Sequence, residues 1–307
     1  MDKNAAFIGM GMIGAGLAVN AVMHGYQVST FDLRSADEQR MCVKNILDIF
    51  VSNQVCTQEQ ADTWIASIRF TNRLEEALRD VSFIQESIAE RLSLKQETYR
   101  EIQKICGDKA IIASSTTAMF PSVLSAGALY PERIVVGHPY NPSYLLPLME
   151  VCGGKTASCE TVDEVCQIYR SWEKEPVICQ KEINGFVVNR LSWAASEAAK
   201  ECVREGVCSV ESIDKAIMYG PGMRMAVTGQ MLTMSMGVEG GFRKMAEKYG
   251  LEPSEWDEIY AQGVEEEIAN RKPETGNNLE DIVSFRDHIF IELLRLQGFF
   301  QKNAPMN

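Results

Sequence analysis

The chain has 307 residues, 46% hydrophobic and 23% charged, with 42 acidic against 30 basic side chains and a formal net charge of −12. That length exceeds what one hydrophobic core usually covers, so two domains are expected. The acidic balance argues against a nucleic-acid-binding surface, whose phosphate partners need a basic face. Nine cysteines lie scattered without a CxxC pair. Their arrangement gives neither metal-ligand spacing nor a disulfide framework and predicts reduced thiols and no metal site.

The opening MDKNAAFIGMGMIG lacks the basic flank and cleavage site of a signal peptide, and no apolar run approaches a membrane span, so a cytoplasmic location is expected. Residues 5–8 are a short apolar run, followed at once by Gly9-Met10-Gly11-Met12-Ile13-Gly14. Apolar residues at helical spacing (Ile13, Leu17, Ala18, Ala21, Val22) then continue to Gly25. A second run, Gln27–Phe31, ends in Asp32. Strand, glycine turn, helix, strand and acid in this order form a dinucleotide-binding fingerprint of the Rossmann type. Gly9 permits the sharp turn and Gly11 lets the backbone approach a pyrophosphate. The phosphate charge faces the helix N-terminus at Met12 and Ile13, and Gly14 allows close helix–strand packing. Asp32 is placed to accept the ribose hydroxyls of an adenosine and to repel a 2′-phosphate, which predicts NAD over NADP. Arg34, close by, slightly weakens that preference and reads more as a surface charge.

Residues 35–50 and 57–67 read as helices, followed by a strand at 68–70, a short helix at 74–78 and a strand at 81–84. After Glu86 and Glu90 comes a helix over 92–105 carrying Lys95, then a strand over 110–113 that ends in Ser114-Ser115-Thr116-Thr117. Ligands gather at the carboxyl ends of parallel strands, so Glu86, Glu90 and the hydroxyl cluster are expected along one cleft. Thr117 reads equally as a cap for Pro121–Leu124. Residues 134–137 and 148–151 are strands on either side of His138, one of three histidines in the chain. The loop between them carries Pro139, Pro142 and Pro147 and predicts an antiparallel pair that brings Glu150 beside His138. Such a histidine acts as a general base when a carboxylate fixes its tautomer, or merely caps a strand. Asn141 supplies an amide next to it as a candidate substrate contact.

A helix over 161–172 and a strand over 176–179 complete the first part. From Gly185 the chain reads as helix after helix: 186–205, Val210–Tyr219, 229–236, 240–249, 255–270 and 282–299. The expected fold is α/β, with an N-terminal Rossmann-type doubly wound sheet over 1–183 and an all-α substrate and dimerisation domain over 184–307. The last helix is apolar on more than one face (Ile282, Phe285, Ile289, Ile291, Leu293, Leu294, Leu296), which predicts burial against the second subunit of a homodimer or in a central core.

The segments FIGMGMIGAGLA, ESIAERLSLK, ASSTTA, GHPYNPSYLLPLMEV and GFVVNRL, in this order and spacing, resemble the 3-hydroxyacyl-CoA dehydrogenase family over nearly the whole chain. The resemblance implies NAD-dependent hydride transfer from C3 of a small-molecule substrate. It implies His138 as the base for the 3-hydroxyl, Glu150 as the partner orienting the imidazole, and Asn189 as the catalytic and substrate-binding amide. It also implies Glu90 and Lys95 beside the nicotinamide ribose. Thr117 stands where the family has a catalytic serine, keeping the hydroxyl but adding a methyl group and a stiffer rotamer. Ser115 stands in place of a family asparagine.

The Gly220-Pro221-Gly222-Met223-Arg224 turn and the Arg286-Asp287 pair look like the branch of L-carnitine dehydrogenase and L-gulonate 3-dehydrogenase (lambda-crystallin). Substrates of that branch are 3-hydroxy carboxylates without coenzyme A, and the wording around His138 leans toward L-carnitine. Arg224 is then a candidate clamp for the free carboxylate, against a salt-bridge role. Tyr140, Tyr144, Phe186, Trp193 and Glu197 are candidates for a trimethylammonium cage. The rival expectations are an (S)-3-hydroxybutyryl-CoA dehydrogenase and a non-catalytic NAD-binding protein.

Overall fold

The computed structural model of the chain describes residues 3–300. The described residues divide into two compact units that meet between Ala195 and Ser196.

The first unit is built on β1 (Asn4–Ile8), β2 (Gln27–Phe31), β3 (Arg69–Thr71), β4 (Phe83–Glu86), β5 (Ile111–Ser114), β6 (Ile134–Pro139), β7 (Leu148–Cys152) and β8 (Glu175–Ile178). They form one sheet in the order β3-β2-β1-β4-β5-β6-β7-β8. Neighbours run parallel except β6 and β7, which are antiparallel. β4 and β5 are buried along their whole length, as strands covered on both faces must be.

Helices α1 (Met12–Met23), α2 (Ala36–Ser52), α3 (Gln58–Ser67), α4 (Leu74–Ala77), α5 (Leu92–Cys106), α6 (Pro121–Leu124) and α7 (Cys159–Ser171) occupy the connections. The starts of α2 and α3 are set locally by capping boxes, Ser35 with Glu38 and Thr57 with Gln60. One core joins α1, α2, α3 and α7 through Leu17, Val43, Ala61 and Trp172. A second joins α5 and α6 through Tyr99, Ile102 and Leu124. This is the doubly wound arrangement. Trp172 anchors the first core, its ring within 5.7 Å of Phe7, Tyr26, Phe83 and Tyr169. The structure shifts some expected bounds: β4 starts at Phe83 and reaches Glu86, and β6 takes in His138.

The division between units falls inside α8 (Val188–Arg204). The second unit continues with α9 (Val210–Tyr219), α10 (Pro221–Thr228), α11 (Gln230–Met236), α12 (Met245–Tyr249), α13 (Trp256–Asn270) and α14 (Leu279–Leu296). α10 occupies what the sequence presents as a turn, because Pro221 takes the first helical position, where its missing N–H costs nothing. The expected helix over 240–249 divides into a 3-10 turn, Gly241–Lys244, and α12. The core of this unit is small: Leu232, Phe242, Ala261, Val264 and Ile282. α8 and α9 have no buried residue, and Ile282 is the one buried residue of α14. No described helix is long and apolar enough to cross a membrane.

Candidate active site

The glycine turn between β1 and α1 is shaped for a pyrophosphate. Gly9 has φ +92°, and a Cβ there would lie 2.7 Å from the Ser87 carbonyl oxygen. A Cβ on Gly14 would fall 1.9 Å from the Gly9 carbonyl oxygen, so that glycine is required for the helix to close on the turn. Gly11 differs, since a Cβ there meets nothing within 4 Å. It is the N-cap of α1 and makes no side-chain cap, so the amides of Met12 and Ile13 in the first turn are left for an anion.

A cleft of about 590 Å³ opens beside it, lined by Gly9, Gly11, Asp32, Arg34, Leu74, Ile88 and Leu94 among others. Asp32 receives the Met10 amide at 2.7 Å on Oδ2. Arg34 is more than a surface charge: its Nε and Nη2 each donate to the Asp32 carboxylate at 3.0 Å, and its backbone amide adds another 3.0 Å bond. Burial alone raises the Asp32 carboxyl, but these bonds and the Arg34 charge outweigh it and hold the group down at about 2. An open glycine cradle, apolar walls for a base and an ionised ribose acceptor fit NAD.

Across the sheet, the antiparallel β6–β7 pair sets His138 directly opposite Glu150. Both side chains are buried, and His138 Nδ1 lies 2.8 Å from Glu150 Oε2. The other carboxylate oxygen accepts the amides of Val187 and Val188 at 2.7 and 2.8 Å. Burial pushes the Glu150 carboxyl up, but the bonds from His138, Val188 and Val187 more than offset it, and the group lies below its ordinary range. With Glu150 ionised and acceptor-only, Nδ1 carries a hydrogen and Nε2 is the free basic nitrogen. Phe186 is buried with its ring centroid 5.8 Å from the imidazole. The turn that places it has Gly185 at φ +75° and Phe186 at φ +48°.

Glu150 thereby fixes the start of α8, whose second residue is the half-buried Asn189. The amides of residues 187 and 188 are site groups that sequence reasoning did not single out, and Phe186, a cage candidate from the sequence, lies against the imidazole instead. The only signal for those amides was the GFVVNR segment itself.

The residues expected along a cleft at the ends of β4 and β5 meet in a largely buried polar network. Glu86 is fully buried and accepts Lys95 Nζ at 2.7 Å, Ser114 Oγ at 2.8 Å, the Ile88 amide at 2.7 Å and the Tyr99 hydroxyl. Burial, with the Glu86 charge alongside, pushes the Tyr99 phenol well above its ordinary range. Lys95 is 1% exposed, and its second carboxylate, 3.4 Å away, belongs to Glu90. Glu90 in turn accepts the Thr116 hydroxyl and, at 3.2 Å, the Thr117 amide.

Thr117 is exposed with its side chain unused by α6, whose N-cap is Phe120 and has no side-chain cap. Thr116 takes the local capping role, accepting the Ala118 and Met119 amides at 3.3 and 3.1 Å. Ser115 is buried between Gln85 Nε2 (2.8 Å) and Ser87 Oγ (2.7 Å). The Gln85 amide also reaches the Gly137 carbonyl, next to His138, at 3.1 Å.

Other candidates are scattered. Asn141 is exposed in the β6–β7 loop, and Tyr140 is half-buried with its hydroxyl 3.3 Å from Ser192 Oγ. Tyr144 is half-buried and packs on Phe50 against the core, at 5.9 Å between ring centroids. Trp193 is 50% exposed and covers Gly185. In the second unit Glu197 pairs with Lys200. Arg224 is exposed and has no salt-bridge partner among the described residues. It lines a 200 Å³ cavity with Thr228, Thr233, Arg286 and Phe290, and Arg286 is itself paired with Asp287.

Residues 4–183 match the family model described as "3-hydroxyacyl-CoA dehydrogenase, NAD binding domain", and residues 185–277 match that of its C-terminal domain. The chain is 35% identical over 306 residues to an L-carnitine dehydrogenase of Bacillus cereus, covering 96% of this chain and 92% of that protein. It is 33% identical to an L-carnitine dehydrogenase of Oceanobacillus iheyensis, covering 96% and 98%. Among solved structures, (S)-3-hydroxybutyryl-CoA dehydrogenase from Ralstonia eutropha shares the fold with a TM-score of 0.68 at 23% identity, over 91% of this chain and 99% of that one. The glycine cradle, the ionised ribose acceptor and both family-model matches agree, and the chain belongs to the 3-hydroxyacyl-CoA dehydrogenase family as an NAD-dependent dehydrogenase acting on a 3-hydroxy group.

Proposed function

We propose that this chain oxidises the 3-hydroxyl of a small 3-hydroxy carboxylate that carries no coenzyme A, with L-carnitine as first substrate and L-gulonate as second. The observation that carries this is likeness to relatives named L-carnitine dehydrogenase from two organisms, at 35% and 33% identity over 96% of the chain. NAD, when bound, supplies the hydride acceptor. His138 Nε2 takes the hydroxyl proton as the C3 hydride leaves. Glu150 holds the ring in the tautomer that leaves Nε2 free and stabilises the imidazolium that forms. Asn189 and Thr117 hydrogen-bond the reacting oxygen, Asn141 and Arg224 hold the remainder of the substrate, and Glu90 and Lys95 line the nicotinamide ribose. The unpaired guanidinium of Arg224 supports its reading as a carboxylate clamp.

The assembly proposed is a homodimer through the helical unit. Support comes from apolar side chains that a monomer leaves in water: Ile217 is 43% exposed, Met218 49%, Tyr219 46% and Leu296 85%. The nine free cysteines suit a reducing, cytoplasmic compartment.

Incubation of the protein and NAD with L-carnitine, L-gulonate, and 3-hydroxybutyrate with and without coenzyme A tests the reading through NADH formation. Turnover of L-carnitine above the others is expected. Preference for the coenzyme A thioester overturns the substrate assignment. Absence of turnover on all of them, with NAD bound, returns the chain to a binding role.

A further inference from the structure

Lys174, just before β8, is 5% exposed, and no carboxylate is paired with it among the described residues. Its Nζ donates instead to two backbone carbonyls of the β6–β7 loop, Ser143 at 2.5 Å and Leu146 at 2.9 Å. Burial pulls the amine down to about 8, which still leaves it an ammonium at neutral pH. A charge left in a core without a counter-charge is expensive to maintain, so its two acceptors have to be held in place.

That loop joins His138 to Glu150, and its backbone bonds are few: the Leu145 and Leu146 amides return to the Pro142 carbonyl at 3.0 and 2.9 Å, the Tyr140 amide reaches the Leu148 carbonyl at 3.4 Å, and the Pro147 carbonyl accepts the Glu175 amide at 2.8 Å. Its other side is stitched to the dinucleotide-binding helix. Ser143 Oγ donates to the Ile13 carbonyl in the first turn of α1, and Asn20 Nδ2 donates to the Tyr144 carbonyl, both at 3.3 Å. Gly16 makes the approach possible, since a Cβ there would lie 2.3 Å from Ser143 Oγ. One short segment therefore touches the phosphate-facing helix, the buried ammonium and both strands of the His–Glu pair.

We propose that Lys174 is a positioning residue that couples the dinucleotide-binding turn to the His138–Glu150 pair through the loop over residues 140–147. This rests on the reading of that pair as the proton-handling site. Lysine places a compact, multi-donor charge between carbonyls that face the same point, which methionine of similar length cannot do.

Amide hydrogen exchange of the full-length protein, with and without NAD, reads the coupling without any turnover. NAD is expected to slow exchange at Leu145 and Leu146 in the wild type. In K174M that response disappears while β1 and β4 keep their protection, and K174R restores it. Activity on the best substrate of the panel falls roughly 10²-fold in kcat for K174M, with KM for that substrate unchanged, as small misplacements of reacting groups do. The double variant N20A/S143A cuts both stitches on the α1 side and leaves the Ser143 carbonyl for the ammonium. It is expected to abolish the same NAD response and carries the test if K174M does not fold. Persistence of the response in either folded variant, or its absence in the wild type, overturns the coupling. An unchanged kcat in a K174M protein that has lost the response overturns the positioning role. A wild type that responds to NAD but oxidises no 3-hydroxy acid overturns the functional reading and leaves the coupling standing.

Discussion

Glu150→Gln separates charge from shape at the centre of the site. The carboxylate makes three bonds, one from His138 Nδ1 at 2.8 Å and two from the amides of Val187 and Val188 at 2.7 and 2.8 Å. A glutamine fits the same volume, and its carbonyl oxygen can still accept both amides. Its NH2 group then faces Nδ1, where two donors would meet unless the imidazole changes tautomer. The opposite orientation sets the NH2 against two amide donors and is worse. The ring therefore moves its hydrogen to Nε2, and the nitrogen proposed as the base is no longer free. Loss of that proton transfer is expected to lower kcat by about 10²–10⁴-fold. NAD affinity stays unchanged, because the dinucleotide cleft is lined by other residues. Steady-state turnover with the best 3-hydroxy acid, NAD titration by protein fluorescence, and nitrogen NMR of the imidazole check the three parts. A tautomer change with undiminished kcat would refute the base assignment, and an unchanged tautomer would refute the electrostatic argument for it.

The remaining predictions concern the cofactor end and pH. Gly14→Ala is expected to destabilise the fold, since its Cβ falls 1.9 Å from a carbonyl oxygen, while Gly11→Ala has open space and melts like the wild type yet loses NAD affinity. Thermal melts and NAD titration of the two variants distinguish them. Asp32 has a folded pKa held down at about 2 against an ordinary 3.8, so its contribution to stability is present above pH 3.8 and fades as pH falls toward 2. Arg34→Ala removes the principal cause and is expected to shift acid unfolding, followed by circular dichroism, to higher pH. Lys174 works in the other direction: its amine lies at about 8 when folded and 10.5 ordinarily, so the unfolded chain binds more protons across that window. Its contribution makes the protein more stable as pH rises from 8 to 10.5, and denaturant titrations of K174M should lack that slope.

Much of the first unit is legible in the sequence because its signals are local. A glycine turn between an apolar run and a helical pattern carries its own geometry, and an acid after the second strand completes it. The His138–Glu150 pairing is legible for a different reason: a short loop rich in proline restricts the chain to an antiparallel return, and the period of the strands does the rest. What escapes is set by tertiary burial. Arg34 and Lys174 look alike as surface charges in a one-dimensional reading. Only the fold closes the first onto Asp32 and buries the second beneath a loop. Thr116 and Thr117 are adjacent and chemically alike, so which hydroxyl faces inward depends on the exit direction of β5. The Gly-Pro-Gly stretch before Arg224 reads as a turn, because the sequence does not reveal that its proline starts a helix.

The reversed strand β7 has a consequence beyond the pairing it creates. In a sheet whose strands all run one way, only their ends reach a ligand, and the groups there hang on loops that drift as loops change. Glu150 instead sits in the middle of its strand, between β6 and β8, with backbone bonding on both sides. The ladder acts as a ruler, fixing the carboxylate-to-imidazole distance by strand spacing alone. Substitutions in the surrounding loops can then change what lines the cleft while the His138–Glu150 distance stays the same.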